Sequence, residues 1–303
     1  MIANGWVEGL TVASIILGTV LGGVLINERV SDVLLGLDFP LIDTGIDTPA
    51  EAAIAIIVAI YAIAAIFNLR IPRTGAPLRP LPTDPLETLK DFRQCFIRLW
   101  TDRLGQISLA VTTLFWGAGA TLQFIVIEWA RVNLGFGLSR ASILQGVVAL
   151  GIALGAVAAS AMVSLDRAVK VIPLGIAMGL VVTAMTAVHS VWIAIPLMIV
   201  IGVLAGFFVV PMNALLQHRG HSLMGAGRSI AVQNFNENTA ILVMIAAYSA
   251  LVAARLPIST VIVLFGGFVA GTMTLVLWWF KHNRRVHGTE IERLLAIARS
   301  GDH

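Results

Sequence analysis

Charge is scarce in this sequence, and cysteine is almost absent. Only 12% of its 303 residues are Asp, Glu, Lys or Arg, while 58% are hydrophobic. Soluble domains carry roughly 25% charged residues, so the composition excludes a water-soluble enzyme domain. The lone Cys95 excludes an internal disulfide and a cysteine-rich metal site, and the six histidines fall in no paired ligand spacing. No cofactor is therefore expected. The opening Met1-Ile-Ala-Asn-Gly5 lacks the basic stretch of a cleavable signal peptide, and Glu8 interrupts the first apolar run. The net charge of +3 comes from basic residues scattered between apolar runs, so nucleic acid is not an expected partner.

What the sequence has in quantity is apolar length, with a mean hydropathy of +0.91. A bilayer-spanning helix needs about 20 predominantly apolar residues, because a backbone amide cannot be left unpaired in hydrocarbon. Eight stretches meet this: 6–26, 50–68, 107–129, 141–163, 169–188, 191–216, 230–254 and 258–280. The expected fold is an all-α integral membrane protein with eight transmembrane helices. Short joints at Asp166-Arg167 and His189-Ser190 make neighbouring helices antiparallel. Sixteen Lys and Arg collect on one side of these spans and four on the other. Basic loops resist translocation, which puts both termini in the cytoplasm and the acidic loop between the first two spans outside.

The connection 69–105 opens with Pro72, Pro77, Pro80, Pro82 and Pro85. Such a run cannot be helical and forms a semi-rigid spacer. It separates the first two spans (1–68) from the last six (106–281), with a cytoplasmic tail at 282–303. Its second part places Leu86, Leu89, Phe92, Phe96 and Leu99 at helical spacing, with Lys90, Arg93 and Arg98 between them. The pattern predicts an amphipathic helix on the inner membrane surface. Pairs four apart, Gly18 and Gly22, Gly151 and Gly155, Gly175 and Gly179, allow close helix packing.

Polar side chains at membrane depth are costly and usually face a bundle interior or watery cavity. Gln233-Asn-Phe-Asn-Glu-Asn238 concentrates four amides and a carboxylate. At about 100° per residue, Gln233, Glu237 and Asn234 share one arc with Glu237 at its middle, while Asn238 extends that face and Asn236 flanks it. A face with one negative charge and several amides suits a polar headgroup or a cation. An interhelical hydrogen-bond knot is the bland alternative, but such bonds average only about 0.6 kcal/mol. Asn213, one turn from Gln217, and Gln123 with Trp116 in the third span are further cavity candidates. Glu8, Asp166 and Arg167 stand at helix ends and joints, where charge pairs can latch a moving bundle. His218, Arg219 and His221 look like a basic loop at headgroup level.

Four segments resemble the lysophospholipid transporter family of the major facilitator superfamily. They are Ala3-Asn-Gly-Trp-Val-Glu-Gly9, Thr113-Leu-Phe-Trp-Gly-Ala-Gly-Ala-Thr-Leu122, Gly206-Phe-Phe-Val-Val-Pro-Met-Asn-Ala-Leu-Leu-Gln217 and Val232-Gln-Asn-Phe-Asn-Glu-Asn238. The resemblance covers about residues 3–280. It implies two six-helix bundles joined by the Pro-rich linker, with the first two spans here matching that fold's fifth and sixth. The chain then reads as a form lacking four helices. Gln123 stands where the family pattern leads one to expect Arg. The implied activity is movement of lysophospholipid, lysophosphatidylethanolamine above all, from the outer to the inner leaflet of a bacterial inner membrane for reacylation. A cytoplasmic acyltransferase is the implied partner, and coupling to Na⁺ or H⁺ stays open. Alternatives are a drug or metabolite facilitator, a membrane-embedded acyltransferase, which the absence of a His-x4-Asp pair disfavours, and an inert scaffold.

Overall fold

The computed structural model of the protein describes residues 48–72 and 84–300, together with isolated positions between residues 14 and 30. Most of the expected first span, Glu8 included, lies outside the described residues. Among those residues the structure is helical without strands, and seven helices are long and apolar enough to cross a membrane. It is a multi-pass, all-α membrane protein.

Helix α1 (Pro49–Asn68) begins with a capping box: Thr48 accepts from the Glu51 amide, and the Glu51 carboxylate accepts from the Thr48 amide at 2.8 Å. Asp84 caps α2 (Pro85–Thr101) by accepting from the Leu86 amide at 2.9 Å. Proline at the first helical position serves both starts, since its missing N–H would have no intrahelical partner there. Helices α3 (Gly105–Leu134) and α4 (Leu138–Met162) follow. The next span is composite, with a 3-10 turn at Leu165–Val171, α5 (Ile172–Thr183) and a second 3-10 turn at Ala184–Ala187. Pro173 lies in the first turn of α5, where the tighter helix gives way to the α form. Helices α6 (Val191–Met224), α7 (Ala226–Ala253), α8 (Ile258–Val286) and α9 (Gly288–Ser300) complete the chain.

Glycine sets the closest seams. Gly151 and Gly155 of α4 lie against Gly202 and Gly206 of α6, so that a Cβ at Gly206 would run into the Ile152 carbonyl and one at Gly155 into the Val203 carbonyl. Gly179 of α5 meets Gly266 and Ala270 of α8, and Gly117 of α3 meets Ala240 of α7. Where lipid offers no hydrophobic drive between helices, such backbone-to-backbone approach supplies packing instead. Trp129, fully buried, donates from Nε1 to the Met185 carbonyl at 2.8 Å and ties α3 to the second 3-10 turn. The tail expected at 282–303 is largely helical: α8 runs on to Val286, and α9 packs against the first 3-10 turn with Ile291 and Ala298 buried.

The expected loop around Arg219 is corrected by the structure. Helix α6 continues eight residues past Leu216 to Met224 and reverses into α7 at Gly225, whose φ of 87° favours a residue without Cβ. Arg219 is 6% exposed and lies inside the helix rather than on a basic surface. It is buried because Asp102 supplies a matching carboxylate: Nη2 to Oδ2 measures 2.6 Å and Nε to Oδ1 3.1 Å. The same Asp102 Oδ1 accepts from the Gly105 amide at 2.7 Å and so also starts α3.

Candidate functional site

The antiparallel α6 and α7 bring their amides together two to three turns from Gly225. Gln233 Nε2 donates to Asn213 Oδ1 at 2.9 Å and to Glu237 Oε1 at 2.8 Å, bridging the two helices with one amide. Gln233 and Glu237 are each 8% exposed. Asn236, one turn from Val232, donates to the Val232 carbonyl and accepts from Trp100 Nε1 of α2 at 3.2 Å. The buried arc of the stretch is thus Asn236, Gln233 and Glu237.

Asn234 and Asn238 occupy the open edge of that arc. Both are exposed, and Asn238 Nδ2 donates to the Asn234 carbonyl at 2.8 Å. Thr239 beside them returns its hydroxyl to the Phe235 carbonyl. Toward the far end of α7 the same exposed stripe becomes apolar with Leu242 and Val243. The polar part of the stripe is therefore confined to the half nearer Gly225.

Position along α6 follows from helix arithmetic. Asn213 is 22 residues beyond Val191, where α6 begins, a rise of about 33 Å at 1.5 Å per residue. The Asn213, Gln233 and Glu237 cluster thus lies in the half of α6 and α7 nearer Gly225, Arg219 and Arg228. Pro211 comes just before Asn213 and cannot donate to the Phe207 carbonyl, which frees that acceptor from the helix ladder on the approach to the cluster.

The other expected site residues lie apart from this cluster. Trp116 is half-buried and packs edge-on against Phe115, with ring centroids 5.6 Å apart. Gln123 is exposed, and its carbonyl accepts from Gln145 Nε2 of α4 at 2.7 Å. Asp166 is half-buried and Arg167 exposed, both in the 3-10 turn after α4. Among the described residues no group of His, Cys, Asp and Glu is arranged to hold a metal ion.

Sequence reasoning missed the ion pairs that join α2 and the turn after it to α6, α7 and α9. Besides Asp102 and Arg219, Asp91 of α2 pairs with Arg228 of α7 at 2.9 Å, and Arg103 approaches Glu290 of α9 at 3.9 Å. The one available signal was the run Asp102-Arg-Leu-Gly105 just ahead of a span, which reads as a helix start but names no partner.

No protein-family model matches the chain, and no solved structure matches it. Curated proteins do. Lysophospholipid transporter LplT of Yersinia pestis (strain Pestoides F) is 40% identical over 260 residues, covering 86% of this chain and 59% of that protein. The protein of the same name from Yersinia pseudotuberculosis serotype O:3 (strain YPIII) matches to the same extent. The chain thus spans about three fifths of the length of the curated relatives it matches. At 40% identity across 86% of its own length, and with the Asn213, Gln233 and Glu237 segments within its bundle of apolar helices, this chain is similar to the lysophospholipid transporter LplT proteins.

Proposed function

We propose that this chain moves lysophospholipid, lysophosphatidylethanolamine in particular, from the outer to the inner leaflet of a bacterial inner membrane, where a cytoplasmic acyltransferase can reacylate it. The relatives that carry the LplT name support the substrate class. The observation that carries the reading is the Gln233 bridge between Asn213 and Glu237, continued onto the open edge by Asn234 and Asn238. Amides there can hold the phosphate and free hydroxyl of a lysophospholipid, while the Glu237 carboxylate attracts the ethanolamine ammonium. A polar cluster in the half of α7 nearer Gly225, followed by the exposed Leu242 and Val243, suits a ligand with a polar end and a single acyl chain.

Residues 106–281 form the six-helix bundle in this reading, residues 1–68 contribute helices to its counterpart, and 69–105 connect them as in the major facilitator superfamily. Both termini are cytoplasmic. Glu237 also has the chemistry to hold a coupling Na⁺ or H⁺ when no ammonium is present. Asp166 and Arg167 act at the cytoplasmic joint, away from the binding cluster.

The test is equilibrium binding of lysophosphatidylethanolamine to the purified full chain and to Glu237→Gln, which keeps shape and hydrogen bonding while removing charge. Loss of one charge-assisted contact weakens binding by about 1.5–3 kcal/mol, roughly ten- to hundredfold in affinity. Lysophosphatidylglycerol, which has no ammonium, should respond far less to the substitution. Equal affinity of both chains for lysophosphatidylethanolamine overturns the site.

A further inference from the structure

Helix α2 presents three faces. At about 100° per residue, Phe92, Cys95, Phe96, Leu99 and Trp100 share the arc that docks on the protein. Phe92 and Phe96 contact Phe235 of α7 with centroids 5.3 Å and 6.2 Å apart, and Trp100 stacks on Trp279 of α8 at 6.4 Å. Glu87, Asp91, Gln94 and Arg98 make a polar edge, where Asp91 engages Arg228. The third arc holds Leu86, Lys90, Arg93 and Ile97, with Leu89 at its border with the docked arc one turn before Arg93, and none of them is buried. Together with Leu89 it combines three large aliphatic side chains and two cations and contains no acid.

The docked arc fixes how α2 is rolled, so the third arc cannot turn inward to bury its leucines. Leu86 is 64% exposed and Leu89 62%. The helix ends at Thr101, and α3 starts its crossing at Gly105, which holds α2 at the bilayer face. Trp100 and Trp279, the residue type enriched at membrane–water interfaces, stack at this level. An exposed arc of aliphatic and basic side chains at that depth matches one surface: leucines reach the acyl boundary while Lys90 and Arg93 extend to phosphates. The absence of acid from the arc makes the match one of charge as well as polarity.

We infer that the arc of Leu86, Leu89, Lys90, Arg93 and Ile97 binds anionic phospholipid of the surrounding bilayer. This ligand is a resident lipid, not the transported one, and it meets none of the residues of the Asn213, Gln233 and Glu237 cluster. Because Trp100 of α2 donates to Asn236, next to Glu237, lipid held by α2 also steadies the helix that carries the cluster.

The full chain is reconstituted in phosphatidylcholine vesicles with and without phosphatidylglycerol, carrying a nitroxide at Leu89→Cys or, on the polar edge, at Gln94→Cys. The ratio of collision with oxygen to collision with a water-soluble nickel chelate should rise at position 89 when phosphatidylglycerol is added and stay constant at position 94. Lys90→Gln with Arg93→Gln should abolish the rise. A ratio at 89 that ignores lipid composition, or that tracks position 94, overturns the inference. If the doubly substituted chain does not insert, the comparison of the two vesicle compositions in the singly labelled chain decides.

Discussion

Arg219 grips Asp102 with both Nη2 and Nε across 117 residues of sequence, and the two side chains are only 7% and 9% exposed. A bidentate pair of this kind fixes geometry as well as charge. It joins the turn between α2 and α3 to the last two turns of α6.

Removing one partner leaves the other charge buried and uncompensated, at a cost of about 3–5 kcal/mol. Arg219→Met alone should therefore sharply lower the thermal midpoint of the detergent-solubilised protein. Arg219→Met combined with Asp102→Asn removes both charges and should recover a substantial part of the loss, since the substituted amide oxygen can still accept from the Gly105 N–H. A double variant no more stable than Arg219→Met alone would show that the pair is not the source of the effect.

The α4–α6 seam leads to a second expectation. A methyl at Gly206 meets the Ile152 carbonyl, which is backbone and cannot swing away. Gly206→Ala should destabilise by about 1–3 kcal/mol, as overpacking does. Gly267→Ala is the control, for a Cβ there meets nothing within 4 Å, and replacing an interior helical glycine by alanine stabilises by about 0.5–1 kcal/mol. Thermal unfolding of the two variants should move in opposite directions.

Cys95 should be almost silent toward maleimide in the folded protein. Its thiol is 5% exposed within a cluster of Leu99, Leu109, Leu216 and Val232, and burial, then the Asp91 carboxylate, raise its pKa above the ordinary thiol value. Since only the thiolate reacts, labelling should keep rising with pH beyond the ordinary thiol range and become fast after denaturation. Fast labelling of the native chain at neutral pH would show that the α2 dock opens readily. Against this silent background, Ser31→Cys should label with an impermeant maleimide in intact cells and Ser300→Cys should not. Equal labelling of both would overturn the assignment of cytoplasmic termini.

The spans were legible because a run such as Val191–Leu216 announces its own hydrocarbon-filling length. The end of α6 was not, since hydropathy marks where lipid stops, and the helix continues past that point through His218, Arg219 and His221. Periodicity gave the relative angles within the 233–238 stretch correctly. It centred the cavity-lining face on Glu237 with Gln233, Asn234 and Asn238, whereas the docking of Trp100 and Phe92 turns Asn236 to the buried side and leaves Asn234 and Asn238 on the open one. The pairing of Asp102 with Arg219 has no local signal, because contact between residues so far apart in sequence is set by three-dimensional packing alone.

The glycine seam of α4 and α6 has a mechanical meaning. Where side chains interpose, two helices can slip by exchanging rotamers; where carbonyls of one rest in the glycine notches of the other, a sideways step of even half a turn drives backbone into backbone. These two helices must travel as one girder. The α3–α7 contact has a single such notch, at Gly117, closed in part by the pliant Met244 side chain. Sliding along the α3–α7 contact therefore meets less backbone resistance than sliding along the α4–α6 seam.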